Sequence, residues 1–250
     1  MIASLPMYDR PETAAANDAL WALIRDDLRG AGIDAPDSLT RGPDLWAEWE
    51  APDLLLSQTC GLPYRARLKG QVTIIGAPDY GLEDCPPGYY ASKIVVRAED
   101  DDTDPSAWKT KTLAFNETRS QSGWAAALNH AEKLGTAFAH SIETGAHLHS
   151  VQAIAEGRAD IAVVDAQSWR IISRWEPAAN ALKIIGQTDP TPATPFITAI
   201  SQPDDVKTAL RGALERAIAA LPEDARALIN LQGMAQVPEE AYMAVPTPAR

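Results

Sequence analysis

The feature that most restricts the fold is an alternation of short, unbroken apolar runs with longer stretches of helical periodicity. Leu54-Leu55-Leu56, Val72-Thr73-Ile74-Ile75, Ile94-Val95-Val96, Leu113-Ala114-Phe115 and Ile161-Ala162-Val163-Val164 are too short for core helices and lack the polar alternation of a half-wet strand. Each therefore reads as a strand buried on both faces. Between them fall helical patterns. One opens at Pro11 and Glu12, runs through Leu20, Trp21, Ile24 and Leu28, and closes at Gly30 and Gly32. Others cover about 122–134, a short stretch after Gly145, and the segment through Trp169 and Ile172. The strongest, 204–221, lines Val206, Leu210, Ala213, Leu214, Ala217 and Leu221 along one face. Strands and helices in this order predict an α/β fold of mostly parallel sheets flanked by helices.

The 250 residues suffice for two compact lobes. The order of elements predicts a discontinuous first lobe, 1–90 plus 188–250, and an inserted second lobe, 91–187, with a ligand cleft and hinge between them. The prolines at 190, 192 and 195 read as an extended connector. The segment from Met1 to Tyr8 reads as the first strand, and the tail after Pro238 as surface wrapping. The acidic loop Glu99-Asp100-Asp101-Asp102 reads as a solvated turn, because it lacks the glycine and distal glutamate of a calcium loop.

The net charge of −12, without a basic cluster, argues against a nucleic-acid footprint or a polybasic membrane surface. It leaves room for an anionic ligand, because backbone N–H groups at a helix start carry no formal charge. No run approaches the roughly 18 apolar residues of a membrane span. Neither a basic n-region nor an apolar h-region precedes the first strand, so the expected location is periplasmic if a signal was removed and cytoplasmic if Met1 is the native start. Cys60 and Cys85 lack redox or zinc spacing and read as two buried thiols or a single bridge. No cofactor is expected.

Three local patterns could hold a ligand. In Asn116-Glu117-Thr118-Arg119-Ser120-Gln121-Ser122-Gly123, a strand passes to a helix through two serines and a glycine. Such a turn can cradle an anion on unpaired N–H groups, or it can simply be a helix cap. In Glu143-Thr144-Gly145-Ala146-His147-Leu148-His149-Ser150, His147 and Ser150 stand three apart, at the expected mouth of a second helix end. His149 points elsewhere, which disfavours a metal on the His-x-His pair. Asp165 ends a strand, where open α/β sheets place ligand contacts, and it is equally suited to cap the next helix. A carboxylate facing an oxyanion requires a proton or an amine between them, so Asp165 points to a zwitterionic or protonated ligand.

The Ser120-Gln121-Ser122-Gly123 turn, the run Thr144-Gly145-Ala146-His147-Leu148-His149-Ser150 with Ala155-Glu156-Gly157-Arg158-Ala159-Asp160, and Val164-Asp165 together resemble the phosphonate-binding-protein family of ABC importers. The resemblance runs over most of the chain and implies the two-lobed type II periplasmic-binding fold. It also implies that Tyr90 lines the cleft, with contacts from Ser120, Gln121, Ser122, His147 and Asp165. Tyr8 and Thr59 are added because both sit at carboxyl ends of predicted strands, and Trp46 or Trp49 is placed as a pocket wall.

The function this implies is capture of a small anionic or zwitterionic, phosphonate-like ligand for an ABC-type permease, without catalysis. A cytosolic ligand sensor is one alternative. An enzyme is another, because Ser120, His147 and Asp165 formally supply nucleophile, base and orienter; the Gly-x-Ser-x-Gly elbow is missing, as is the iron-binding set of a pyrimidine synthase of this fold.

Overall fold

A computed structural model describes residues 1–248, and the chain divides into two compact units. Unit 1 comprises Met1–Tyr89 and Pro192–Met243; unit 2 comprises Tyr90–Thr191 with the tail from Ala244. The two-residue strands β4 (Tyr89–Tyr90) and β10 (Thr191–Pro192) fall where the chain passes from one unit to the other.

Unit 1 is built on a five-stranded sheet in the order β1 (Ile2–Ala3), β2 (Leu54–Gln58), β11 (Phe196–Ala199), β3 (Val72–Asp79), β12 (Gly233–Ala235). β1 runs parallel to β2, whereas β11 is antiparallel to both β2 and β3, and β12 is antiparallel to β3. All five residues of β2 and all four of β11 are buried, the polar Ser57, Gln58 and Thr198 included. Helix α1 (Ala14–Gly30) packs on α7 (Asp204–Ala220) and α8 (Glu223–Ile229). The contact face of α1 is the apolar stripe Leu20, Trp21, Ile24 and Leu28, each 2% exposed or less. Full burial of a side chain of this size stabilises by about 1.5–3 kcal/mol.

Unit 2 carries a second five-stranded sheet, in the order β7 (His140–Glu143), β6 (Thr112–Phe115), β8 (Ile161–Asp165), β5 (Ser92–Arg97), β9 (Leu182–Gln187). The first three strands are parallel to one another; β5 is antiparallel to both β8 and β9. One face packs α5 (His147–Ala155) and α6 (Ala166–Trp175) through Val151, Ile154, Val164 and Ile172. The other packs α4 (Ala126–Lys133) through Leu113, Val163, Ala127 and Ala131.

Both sheets are thus mixed. The reversed strands are β11 and β12 in unit 1 and β5 in unit 2.

Several local expectations are corrected. The first strand is only Ile2–Ala3, because Pro6 starts a 3-10 turn over Pro6–Tyr8. The tail after Pro238 does not merely wrap the surface: α9 (Glu239–Met243) inserts Tyr242, 1% exposed, whose hydroxyl donates to the Ala193 carbonyl at 2.9 Å. Trp49 is a core residue, with its indole N–H donating to the Gln58 carbonyl at 2.9 Å. The acidic loop is anchored: the Asp100 carboxylate meets Lys111 Nζ at 2.6 Å, with both side chains 13% exposed or less. Cys60 and Cys85 are both present as thiols, each half-buried.

Candidate functional site

In unit 2 the chain leaves β6 at Phe115 and turns into a helix through one wide π-type turn, Gln121–Ala125, that continues as α4. Ser120 is the cap. Its backbone is extended (φ −79°, ψ 128°), and its Oγ accepts the Gly123 N–H at 3.0 Å. Ser122, one residue past Gln121, lies with its Oγ 2.9 Å from His147 Nε2 and 3.5 Å from Ser120 Oγ. Ser120, Gln121 and Ser122 are all 4% exposed or less. Capping thus uses one serine and leaves the other turned to the histidine.

His147 comes from the second turn. Gly145 adopts φ +86°, a left-handed conformation that a side chain would strain, and this lets the chain reverse from β7 into α5. The reversal is stapled to β6, with Thr144 N–H donating to the Phe115 carbonyl and Gly145 N–H to the Asn116 carbonyl, both at 2.8 Å. Burial pushes the His147 pKa down to about 4, so the ring is neutral at physiological pH. Its Nδ1 is buried with no hydrogen-bond partner. That vacancy also breaks the triad pattern, in which a carboxylate holds Nδ1. Asp165 Oδ1 instead accepts the Ser168 N–H at 2.8 Å, as the cap of α6.

Asp165 ends β8, which packs beside the Gln121–Ala125 turn, and it pairs in register with Ser92, two residues beyond Tyr90. Tyr90 is 1% exposed. Ser150 does not stand at a mouth beside His147. It is fully buried, and its hydroxyl lies 2.8 Å from Thr144 Oγ1 and 3.4 Å from the Ala146 carbonyl. Both contacts tie it to the turn that precedes α5. His149 Nδ1 lies 3.0 Å from the Thr144 carbonyl, on the exposed side of the helix. Unit 2 thus gathers Ser120, Ser122, Gly123 and His147 into one contact cluster, with β8, the strand that Asp165 ends, packed against the turn.

Tyr8 and Thr59 belong to unit 1. Tyr8 is 6% exposed, edge-on to Tyr80 with ring centroids 5.0 Å apart. Thr59 is fully buried; its N–H donates to the Pro195 carbonyl at 3.1 Å, and its Oγ1 has no partner. Two polar residues were not singled out from the sequence. The Oδ1 of Asn116 is buried and unpartnered, and so is Oγ1 of Thr194, one residue from the Pro195 that Thr59 binds. Among the described residues, no group of three or more His, Cys, Asp or Glu is placed to hold a metal ion, and no helix is long and apolar enough to cross a membrane.

The sequence model of one family, described as the periplasmic substrate-binding protein of phosphonate ABC transporters, matches residues 57–240. The chain belongs to that family. Its members are transport binding proteins rather than enzymes, and the matched segment takes in the cluster around Ser120, Gly123 and His147. No curated protein matches the chain.

Solved structures share the fold of this family member at low identity. The binding component of an ABC phosphonate transporter from Pseudomonas aeruginosa superposes with a TM-score of 0.72 at 14% identity, covering 97% of this chain and 82% of that one. PhnD1 from Prochlorococcus marinus, solved with methylphosphonate, gives 0.70 at 14%, covering 96% and 94%. XAC2383 from Xanthomonas citri, solved bound to ATP, gives 0.71 at 15%, covering 96% and 92%. The type II periplasmic-binding fold is thereby established for this chain.

Proposed function

We propose that this chain captures a small phosphonate-like anion or zwitterion in the periplasm and delivers it to the permease of an ABC importer. The observation that carries this reading is the unpartnered, buried Nδ1 of His147 beside the capped helix start at Ser120–Gly123. A buried polar atom without a partner costs about 1–3 kcal/mol, and a bound ligand removes that cost. The helix start adds backbone N–H donors and a partial positive charge, which favour an anionic group without any cationic side chain. Ser120, Gln121, Ser122, Gly123, His147, Asp165 and Tyr90 are the proposed contacts in unit 2, and Tyr8 and Thr59 those in unit 1. Asp165 favours ligands that bring a proton or an amine to it.

The test is calorimetric titration of the purified protein with methylphosphonate, 2-aminoethylphosphonate, phosphate and methanesulfonate. The Ser120→Ala/Ser122→Ala variant should bind the best of these at least about tenfold more weakly, the equivalent of about 1.4 kcal/mol. Unchanged affinity would sink the reading. Growth on a phosphonate as sole phosphorus source, lost on deletion and not restored by the double variant, separates transport from sensing.

A further inference from the structure

The chain passes between the two units three times. Two of the passages, at Tyr89–Tyr90 and at Thr191–Pro192, pair with each other as the two-stranded ribbon of β4 and β10. The third lies between Met243, the last residue of α9 in unit 1, and Ala244, where the tail that belongs to unit 2 begins. Chain ends trail unless they are tied down, and this one is tied to the unit that does not carry its last helix. The side-chain amide of Asn129, on α4, donates to the Pro246 carbonyl at 2.9 Å.

The anchors at the two ends of this passage are close in sequence. On the unit 1 side Tyr242 is buried, with its hydroxyl on the Ala193 carbonyl, and Glu239 of the same helix accepts from the Tyr64 hydroxyl at 2.7 Å and pairs with Lys69 at 3.1 Å. On the unit 2 side the anchor is Pro246. Met243, Ala244 and Val245 are all that lies between. Four residues of fully extended chain reach about 14 Å at most, so Tyr242 and Pro246 cannot move further apart while both stay docked.

The second passage is built in the same way. Ala193, which holds Tyr242, stands four residues after Asp189, and Asp189 Oδ2 meets Lys133 Nζ of α4 at 2.6 Å. Asn129 and Lys133 are one turn apart on one face of α4. Two segments of equal length thus leave one bonded pair in unit 1, Tyr242 with Ala193, and end on neighbouring turns of one helix in unit 2. The Lys133–Asp189 pair is exposed and adds little energy, so the restraint comes from the length of the chain and not from the strength of that bond.

We propose that the tail after Met243 is a third hinge strand, a short strap from α9 to α4 that limits how far the two units part in the ligand-free chain. Because α4 continues the Gln121–Ala125 turn, the strap ends on the helix whose start is the Ser120–Gly123 cluster. A clamp that closes on its ligand needs an open state, and the strap sets how open that state is. The proposal rests on the reading of the two units as a clamp, and not on the identity of the ligand.

Small-angle X-ray scattering of the whole chain tests it on a stop after Met243, on a Gly-Ser-Gly-Ser-Gly-Ser insertion between Met243 and Ala244, and, as a control, on the same insertion after Asp102 in the exposed acidic loop. The first insertion keeps both docking contacts and changes only the length between them. The radius of gyration of the ligand-free chain should rise in the truncated and lengthened variants and not in the control. Methylphosphonate should bind the lengthened variant about threefold more weakly, because a smaller fraction of the ligand-free chain is closed. A lengthened chain with the wild-type radius overturns the proposal, whatever the truncated chain does, and so does a rise that the control matches. If the truncated chain fails to fold, the lengthened one decides alone. If the lengthened chain expands while Ser120→Ala/Ser122→Ala leaves methylphosphonate binding unchanged, the strap stands and the binding reading fails.

Discussion

Burial sets the charge of His147, and the pH dependence of the fold follows. The unfolded chain takes up a proton near pH 6.5, while the folded ring resists protonation until about pH 4. Between these values the unfolded state binds more protons, so the contribution of His147 to stability is complete above pH 6.5 and is lost as the pH falls toward 4. Urea midpoints taken at pH 7 and pH 5 should show that loss, and His147→Gln should flatten the difference. A wild-type midpoint that is no lower at pH 5 would contradict the buried, neutral ring. The residues of this cluster were readable to different degrees. Ser120, Ser122, Gly123 and His147 announce themselves as small or polar groups between a strand and a helix. Spacing places Ser150 on the same face as His147, while the bond between its hydroxyl and Thr144 comes from outside the helix. Asn116 falls inside the Ser120 pattern without being marked by it, and Thr194 carries no local signature. Their interest lies in having no partner, a property that exists only after folding.

Among elements, the wide first turn Gln121–Ala125 and the caps at Ser120 and Asp165 organise unit 2. Ser120→Ala alone removes the acceptor for the Gly123 N–H and should cost about 1 kcal/mol of stability, read from the denaturant midpoint of the ligand-free protein. In unit 1 the counterpart is α9. Tyr242→Phe removes the bond to the Ala193 carbonyl and should cost about 1 kcal/mol, while Tyr242→Ala also empties a buried ring site and should cost about 3–5 kcal/mol. The long helices α1 and α7 and the apolar runs of β2, β3, β5, β6 and β8 were legible because periodicity and continuity are properties of the chain itself. The short elements were not. The three residues of β12, Gly233-Met234-Ala235, show no alternation and become a strand only because the edge of β3 is there to pair with. α9 is fixed by what Tyr242 packs against, Tyr64 among them, with ring centroids 5.7 Å apart.

At the scale of the molecule, a ligand that binds only the folded chain stabilises it by mass action. At a hundredfold excess over Kd the gain is about 2.7 kcal/mol, and a melting scan should rise by about 5–10 °C with methylphosphonate or a better ligand. The Ser120→Ala/Ser122→Ala variant should show little of that rise. Each unit has its own apolar core, in unit 2 the clusters around Val164 and around Val163. Because unit 2 is almost wholly one continuous segment, a fragment of residues 90–191 should unfold cooperatively by itself, as followed by far-ultraviolet dichroism in urea.

Unit 1 offers no such fragment. Its sheet places β11 between β2 and β3, although about 120 residues of chain separate β3 from β11. While the polypeptide is being made, β2 and β3 have emerged long before the strand that joins them, and the first 89 residues must wait, with an open seam, for the last quarter of the chain. The gap at the middle of that sheet is therefore also a clock: whatever handles this protein as it leaves the ribosome meets an unclosed first unit until the segment around Phe196 arrives.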